Sequence, residues 1–187
     1  MGGITLVDPI AYYNPETLLF PAVARGFADT GALDPEVLYL ILDWKAPRAR
    51  TRHRARLARV AGSFSAAVKN IAVELRAATG PEQQLELLST KWGFRLPTAS
   101  AILTVLYPDI FTVYDIRVCN TLNAFHQLSD TKWSRTVWRE YQRYTVAVRN
   151  AAPEGLSLRD CDRWLWGRDK REALRKELAA PPFTATD

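Results

Sequence analysis

Helical spacing of apolar residues dominates this sequence. Apolar residues alternate at strand spacing only in residues 111–114, which are too few to build a sheet. Helix-start signals are frequent: Asp34-Pro35-Glu36, for example, combines an N-capping residue, a proline at the first helical position and an acid in the first turn. The sequence therefore predicts an all-α fold.

Caps, prolines and glycines divide the chain into a series of predicted helices. These cover residues 14–31, 34–45, 47–62, 63–79, a short helix around 85–88, 97–107, a helix that starts after residue 115, 132–150 and 157–176, the last one broken near Gly167. A chain of 187 residues is long enough for one domain with a sizeable core. We expect this single domain to cover residues 1–179 and a disordered tail to cover residues 180–187.

Composition and charge exclude several classes of protein. Hydrophobic residues make up 48% and charged residues 24%, as in globular proteins and unlike fibrous or disordered chains. No stretch approaches the roughly 18–20 apolar residues of a membrane helix. The first twenty residues contain Asp8 and Glu16 but no basic residue, unlike a signal or transit peptide. We therefore expect a cytoplasmic, monomeric protein with no membrane partner.

Cysteine and histidine are too scarce and too scattered to form a metal site. Cys119 and Cys161 are the two cysteines, and His53 and His126 are the two histidines. This set cannot build a disulfide framework, a zinc ribbon or a four-thiolate iron–sulfur site. We predict that all four are packing or surface residues, and that the protein uses neither a metal nor another cofactor.

A strongly basic segment covers residues 45–59, which read KAPRARTRHRARLAR. It contains seven lysines and arginines and no acid. On a helix, Arg48, Arg52, Arg56 and Arg59 share one face, and Ala49, His53, Leu57 and Val60 form the predicted buried stripe. The basic face is either a contact surface for backbone phosphates or simply solvated. Mutual repulsion among so many uncompensated cations favours an anionic partner, and the net charge of +5 is compatible with one.

Residues 91–122 carry the clearest chemical pattern of the chain. A turn containing Gly93 precedes the most apolar predicted helix, so backbone N–H groups at the turn can face a phosphate, with Lys91 and Arg95 adding positive charge. An apolar connector then leads to a single acid, Asp115, at the start of the next helix. We expect this carboxylate to lie at the edge of the core and to point into a cleft.

This segment resembles the helix–hairpin–helix (HhH-GPD) superfamily of DNA glycosylases. Gly93 falls on the first glycine of the hairpin motif, Thr98-Ala99 on its Thr-Ala pair, and Asp115 on the essential aspartate of the family. The match covers about thirty residues with its internal spacing kept. A second, weaker resemblance lies in residues 160–170 (DCDRWLWGRDK), which are similar to a helix near the C-terminus of compact archaeal oxoguanine glycosylases.

The resemblance implies a two-lobed helical fold and a monofunctional DNA N-glycosylase that acts on double-stranded DNA containing a modified base. Asp115 is then the catalytic residue, because a carboxylate close to C1′ stabilises the positive charge that develops on the sugar. The residues that the resemblance and the charge pattern together assign to DNA contact are Lys91, Gly93, Arg95, Thr98, Arg48, Arg52 and Arg56.

Two departures from the family pattern bear on function. Arg95 replaces the second glycine of the hairpin, which predicts a distorted hairpin with more contacts from side chains. Pro97 stands where bifunctional members carry a Schiff-base lysine, so a lyase activity at that position is disfavoured. Lys45 and Lys91 remain as conceivable substitutes for that amine.

An extruded base needs an aromatic or apolar wall and a few polar groups for its edge. Trp44 and Lys45 end one predicted helix, and Asp162 and Trp166 share a helix face because they are four residues apart. These four residues are our candidates for the base pocket. The alternative for each of them is an ordinary place at the border of the core.

The sequence leaves the substrate and one functional alternative open. The excised base is either a damaged base, in repair, or a hypermodified cytosine of phage DNA, in antiviral defence. The alternative function is a non-catalytic DNA-binding module of the same fold, and a helical protein-interaction domain is a third possibility. Substitution of Asp115 by asparagine separates the glycosylase from the binding module, because only the glycosylase loses a reaction, and the protein-interaction domain should show no salt-dependent affinity for DNA.

Overall fold

A computed structural model describes residues 9–180, and within this range the chain is helical and contains no β-strand. The prediction of an all-α fold is therefore confirmed. The helices are α1 (Pro15–Leu19), α2 (Ala22–Thr30), α3 (Pro35–Lys45), α4 (Arg50–Ala61), α5 (Phe64–Ala77), α6 (Pro81–Thr90), α7 (Leu96–Leu106), α8 (Ile116–Leu122), α9 (Arg135–Ala151) and α10 (Leu158–Ala179), with 3₁₀ turns at Pro9–Tyr13 and His126–Leu128.

Helix α7 lies at the centre of the molecule. Every residue from Thr98 to Leu106 is buried, as expected for a helix that is apolar on all sides. It packs against α2, α3 and α6, while α4 packs against α3 and α5, and α10 crosses α8 and α9. The buried apolar side chains form one continuous core from Leu19 in α1 to Leu165 in α10.

Side-chain caps fix the starts of five of the ten α-helices in the described range. Asp34 accepts a hydrogen bond from the Glu36 N–H at 2.7 Å, and Ser157 accepts one from the Asp160 N–H at 3.1 Å. Ser63 starts α5 in the same way. These short polar side chains satisfy N–H groups that have no partner within the first turn of a helix.

Several helix boundaries and one predicted break differ from the predictions: α9 starts three residues later than predicted, and α10 ends three residues later. The helix predicted over residues 14–31 is divided into α1 and α2, because Pro21 cannot continue a helix and forces Phe20 into an extended conformation. The predicted break near Gly167 is wrong. Helix α10 runs through this residue, since a glycine in a helix costs only about 1 kcal/mol relative to alanine.

The basic helix α4 starts three residues later than predicted. Ala46 to Ala49 form a turn closed by the Ala49 N–H and the Ala46 carbonyl at 2.8 Å, with Pro47 at the position that this residue prefers in turns. The predicted buried stripe is also narrower than expected. Leu57 is fully buried, but Val60 is 55% exposed because α4 buries only one line of residues against its neighbours.

Some predictions concern residues that the structure does not describe. Residues 1–8 at the start of the predicted domain and residues 181–187 of the predicted tail lie outside the described range. Among the helices of residues 9–180, none combines the length and apolar character that a bilayer span requires.

Candidate active site

Asp115 starts helix α8, as the sequence predicts. Its Oδ1 accepts a hydrogen bond from the Arg117 N–H at 3.0 Å, and its Oδ2 accepts one from Lys45 Nζ at 2.6 Å. The Asp115 side chain is 23% exposed. One carboxylate oxygen therefore caps the helix, while the other forms an ion pair at the surface of a cavity.

The connector before Asp115 is extended but has no neighbouring strand, so its backbone groups need other partners. Two buried tyrosines of α9 supply several of them. The Tyr141 hydroxyl donates to the Thr112 carbonyl at 2.6 Å and accepts from the Thr112 N–H at 3.1 Å. The Tyr144 hydroxyl donates to the Val113 carbonyl at 2.8 Å. Burial raises the pKa of both tyrosines, so both hydroxyls keep the proton that they donate.

Two further side chains complete this support. Ser100 of α7 accepts a hydrogen bond from the Tyr114 N–H at 2.9 Å. Asp162 of α10 accepts from the Val113 N–H at 3.3 Å and from the Thr112 hydroxyl at 3.0 Å. Side chains from α7, α9 and α10 thus hold the residues directly before Asp115 and fix the position of its carboxylate.

A cavity of about 430 Å³ opens at Asp115. Its volume lies in the range of small-molecule sites. Trp44, Lys45, Asp162 and Trp166, the four residues proposed for a base pocket, all line it together with Asp115. The other lining residues are Glu16, Val113, Val118, Arg159 and Arg163.

Lys45 reaches the site from the last residue of α3. Its side chain is 12% exposed, and its ammonium forms the 2.6 Å ion pair with Asp115 described above. The sequence places Lys45 and Asp115 seventy positions apart, and the packing of α3 against the central helix brings them into contact. Lys91, the other candidate amine, pairs instead with Glu74 at 2.6 Å and does not line the cavity.

Asp162 mainly holds the connector before Asp115 and has little surface left for a ligand. It is 2% exposed, and both of its oxygens bind protein groups, since Arg159 contacts Oδ1 while the connector occupies Oδ2. Burial raises the pKa of Asp162 to about 6, although the Arg159 charge acts in the opposite direction.

The sequence analysis missed the cluster that closes the cavity on the side of α1. Glu16 accepts hydrogen bonds from Arg159 Nη2 at 2.8 Å and from Arg163 Nε at 2.8 Å. In the sequence, Glu16 resembles an ordinary acid in the first turn of a helix. The spacing of Arg159, Asp162 and Arg163 places them on one helix face, so the part of the cluster on α10 could have been predicted from the sequence. No feature of the sequence around Glu16 predicts that it joins them.

Guanidinium groups stack on both tryptophans of the cavity. The Arg159 guanidinium lies 5.2 Å from the Trp44 ring centre, and that of Arg117 lies 5.3 Å from the Trp166 ring centre. Both distances are within the range of cation–π contacts. The aromatic walls are therefore held in place by positive charges of the protein itself.

The hairpin turn is held by Arg56, which corrects one sequence prediction. Arg56 is half-buried, donates to the Gly93 carbonyl at 2.5 Å and stacks over Phe94 at 4.9 Å. It therefore does not belong to the exposed basic face of α4. Gly93 itself has a φ of +64°, a conformation that favours glycine. The pKa of His53 on the same helix is lowered to about 4, mainly by burial and further by the positive charges of Arg56 and Arg52.

The remaining predicted DNA-contact residues differ in where they lie and in how exposed they are. Arg95 is 59% exposed and pairs with Asp130, and it lines a second cavity of about 450 Å³ beside the turn together with Gly93. Thr98 lies in the first turn of α7 and is 7% exposed. Arg48 and Arg52 are exposed and line neither of these two cavities.

The cysteines are buried, and burial raises the pKa of both thiols, so they remain protonated packing residues. The part of the chain that the structure describes contains no group of three or more histidine, cysteine, aspartate or glutamate residues able to hold a metal ion.

No family model, curated protein or solved structure matches this chain.

Proposed function

We propose that this protein is a monofunctional DNA glycosylase, which flips a modified base out of duplex DNA and hydrolyses its N-glycosidic bond to leave an abasic site. The observation that carries the proposal is the Asp115 carboxylate, held by its connector and open to a cavity of about 430 Å³ with two tryptophan walls. Such a cavity suits a planar ring, and such a carboxylate suits a reaction that builds positive charge.

The proposed mechanism starts with base extrusion, because the glycosidic bond is inaccessible in stacked DNA. Extrusion costs a few kcal/mol and is repaid by contacts in the pocket. As the bond breaks, the sugar becomes oxocarbenium-like, and Asp115 stabilises it at C1′. The same carboxylate orients the attacking water or accepts its proton. No amine nucleophile occupies the position of Pro97, and in our proposal Lys45, the lysine of the cavity, stays an ammonium paired with Asp115, so the reaction ends at the abasic site.

The proposal includes a two-lobed glycosylase fold of the helix–hairpin–helix type. Its support is the order of elements: α6, a turn containing Gly93 in the left-handed conformation, α7, an extended connector and Asp115 at the start of α8. The cavity lies between α1 and α3 on one side and α8 and α10 on the other. In this arrangement α1 and α3 belong to one lobe, and α8 and α10 belong to the other.

The proposed partner is double-stranded DNA that contains a modified base. Arg48, Arg52 and Arg95 are exposed and supply positive charge at the surface, and phosphates of the DNA backbone are the groups that such charge attracts. The cavity beside the hairpin offers the backbone at Gly93 as a further contact. Both a damaged base and a hypermodified phage cytosine remain possible substrates.

The test is the release of bases from two DNA pools, one with assorted damage and one of phage DNA with hypermodified cytosines. An aldehyde-reactive probe scores abasic sites for the wild type, Asp115→Asn and Asp34→Asn. The last variant is a matched control, since Asp34 caps α3 as Asp115 caps α8 but is exposed and outside the cavity. Asparagine also caps helices well, so both variants should fold.

We expect aldehydes in one pool with the wild type and Asp34→Asn, and none with Asp115→Asn. An active Asp115→Asn variant would remove Asp115 from catalysis. If DNA is bound but neither pool yields aldehydes, the protein is the non-catalytic DNA-binding module instead.

A further inference from the structure

The charges in the cavity are not distributed evenly. Six charged side chains line it, three acidic and three basic. Glu16 is bound by both Arg159 and Arg163, and Asp162 is bound by Arg159 and the connector. These groups neutralise one another at the wall near α1. The two charges that remain at the reacting end are Asp115 and the Lys45 ammonium.

An ammonium beside the catalytic carboxylate has a cost for the sugar chemistry. Lys45 lies 2.6 Å from Asp115 and therefore reduces the net negative charge that faces a developing sugar cation. The same ammonium, 12% exposed, is well placed to act on the other product of bond cleavage, which is the departing base. A positive charge in a partly desolvated site stabilises a developing negative charge strongly.

We propose, building on the glycosylase function above, that the cavity accepts neutral bases and that Lys45 stabilises the base as it leaves. When the N-glycosidic bond of a neutral base breaks, its electron pair moves onto the ring nitrogen and the base departs as an anion. Lys45 donates its proton to that anion and regains one from solvent. Water adds to C1′, and its proton passes to Asp115 and then to solvent, so the products are the neutral base and the abasic sugar.

The same arrangement disfavours bases that already carry a positive charge, such as N-alkylated purines. A cationic base departs as a neutral molecule and gains nothing from a neighbouring ammonium. Recognition of such a base relies on aromatic faces, but Arg159, which also lines the cavity, already stacks on Trp44. A cationic base would therefore enter a site in which one aromatic wall and the reacting end both carry a positive charge.

The experiment uses the full-length protein and duplexes that each contain one modified base. The neutral probes are uracil, 8-oxoguanine, 5-hydroxymethylcytosine and glucosylated 5-hydroxymethylcytosine. The cationic probes are N7-methylguanine and N3-methyladenine. Single-turnover rates are measured for the wild type, Asp115→Asn, Lys45→Gln, Lys45→Arg and Lys69→Gln, where Lys69 is an exposed lysine of α5 outside the cavity.

We expect the wild type to release at least one neutral base and neither cationic base. Lys45→Gln should lower the rate on the neutral base about 100-fold, Lys45→Arg should retain part of the activity, and Lys69→Gln should match the wild type. Affinity for a duplex with a tetrahydrofuran abasic analogue should stay within a few-fold in all variants. A fluorine on the excised ring stabilises its anion, and should therefore shrink the defect of Lys45→Gln, an effect that a merely structural role of Lys45 would not produce.

The other outcomes overturn the proposal in distinguishable ways. Release of a cationic base that depends on Asp115 would leave the glycosylase function standing and refute the substrate class. Full activity of Lys45→Gln, or covalent trapping of Lys45 on DNA by borohydride, would refute its role as an ammonium. If no probe yields an abasic site, the glycosylase function and this inference fail together.

Discussion

The hydroxyl of Ser100 tests how the backbone of the candidate active site is held. Ser100 is fully buried in α7, and its Oγ accepts the Tyr114 N–H at 2.9 Å. Ser100→Ala removes this acceptor and leaves a buried N–H without a partner directly before Asp115. An unsatisfied buried donor costs about 1–3 kcal/mol, so we expect a loss of about 2 kcal/mol in the free energy of unfolding.

This loss is measurable by urea unfolding and by calorimetry. For a domain of this size each kcal/mol corresponds to roughly 2–4 °C, so the melting temperature should fall by about 4–8 °C. Thr104→Val is the matched control, because Thr104 is equally buried in α7 but its hydroxyl donates to a carbonyl within the same helix. We expect the control to lose less than about 1 kcal/mol.

The same variant has a consequence for activity. Tyr114 precedes Asp115 directly, and a misplacement of about 1 Å at a reacting group can reduce a rate about 100-fold. We therefore expect Ser100→Ala to slow single-turnover base release at 25 °C much more than Thr104→Val does, with little change in DNA affinity. Wild-type stability in Ser100→Ala would refute the conclusion that side chains supply the hydrogen bonds of this connector.

Three further predictions concern charge. The double variant Arg48→Gln/Arg52→Gln should weaken DNA binding and reduce the slope of log K against log salt concentration by about 2. Arg139→Gln on α9, the control, should leave this slope unchanged. An unchanged slope in the double variant would show that Arg48 and Arg52 do not contact DNA phosphates. Burial raises the pKa of Asp162 to about 6, against about 3.9 in unfolded chains, so the folded state holds this proton more tightly. As the pH rises from 4 to 6, wild-type stability relative to Asp162→Asn should therefore fall by about 2 kcal/mol in urea titrations. The pKa of His53 is lowered to about 4, so its imidazole should titrate near pH 4 by NMR and wild-type stability should decrease as the pH falls from 6.5 to 4; titration near 6.5 would contradict its contact with the arginines of α4.

Local signals explain why the helices and part of the site could be predicted. Caps such as Asp34 act within one turn, and the i, i+4 spacing of Asp162 and Trp166 places both on one side of α10 before any packing is known. The extended connector before Asp115 likewise follows from a four-residue pattern. Such features depend only on neighbours in the sequence, so the sequence is sufficient to find them.

The features that the sequence did not reveal depend on contacts between distant segments. Arg56 resembled one more exposed arginine of a basic face, but it binds the carbonyl of Gly93, thirty-seven positions away. In the sequence, Ser100 resembles an ordinary small residue of an apolar helix, whereas its hydroxyl binds the connector. In both cases the residue type allows two roles, and only the packing of helices selects one of them.

The contact between Glu16 and Arg159 joins residues 143 positions apart, on the first and tenth helices. Because a chain emerges from the ribosome from its N-terminus onward, Glu16 of α1 is made long before Arg159 of α10. Loop closure over such a separation is also slow. The wall of the cavity near α1 can therefore form only after α10 has been made, and a chain whose synthesis stops before α10 carries Asp115 but lacks four of the residues that line its cavity.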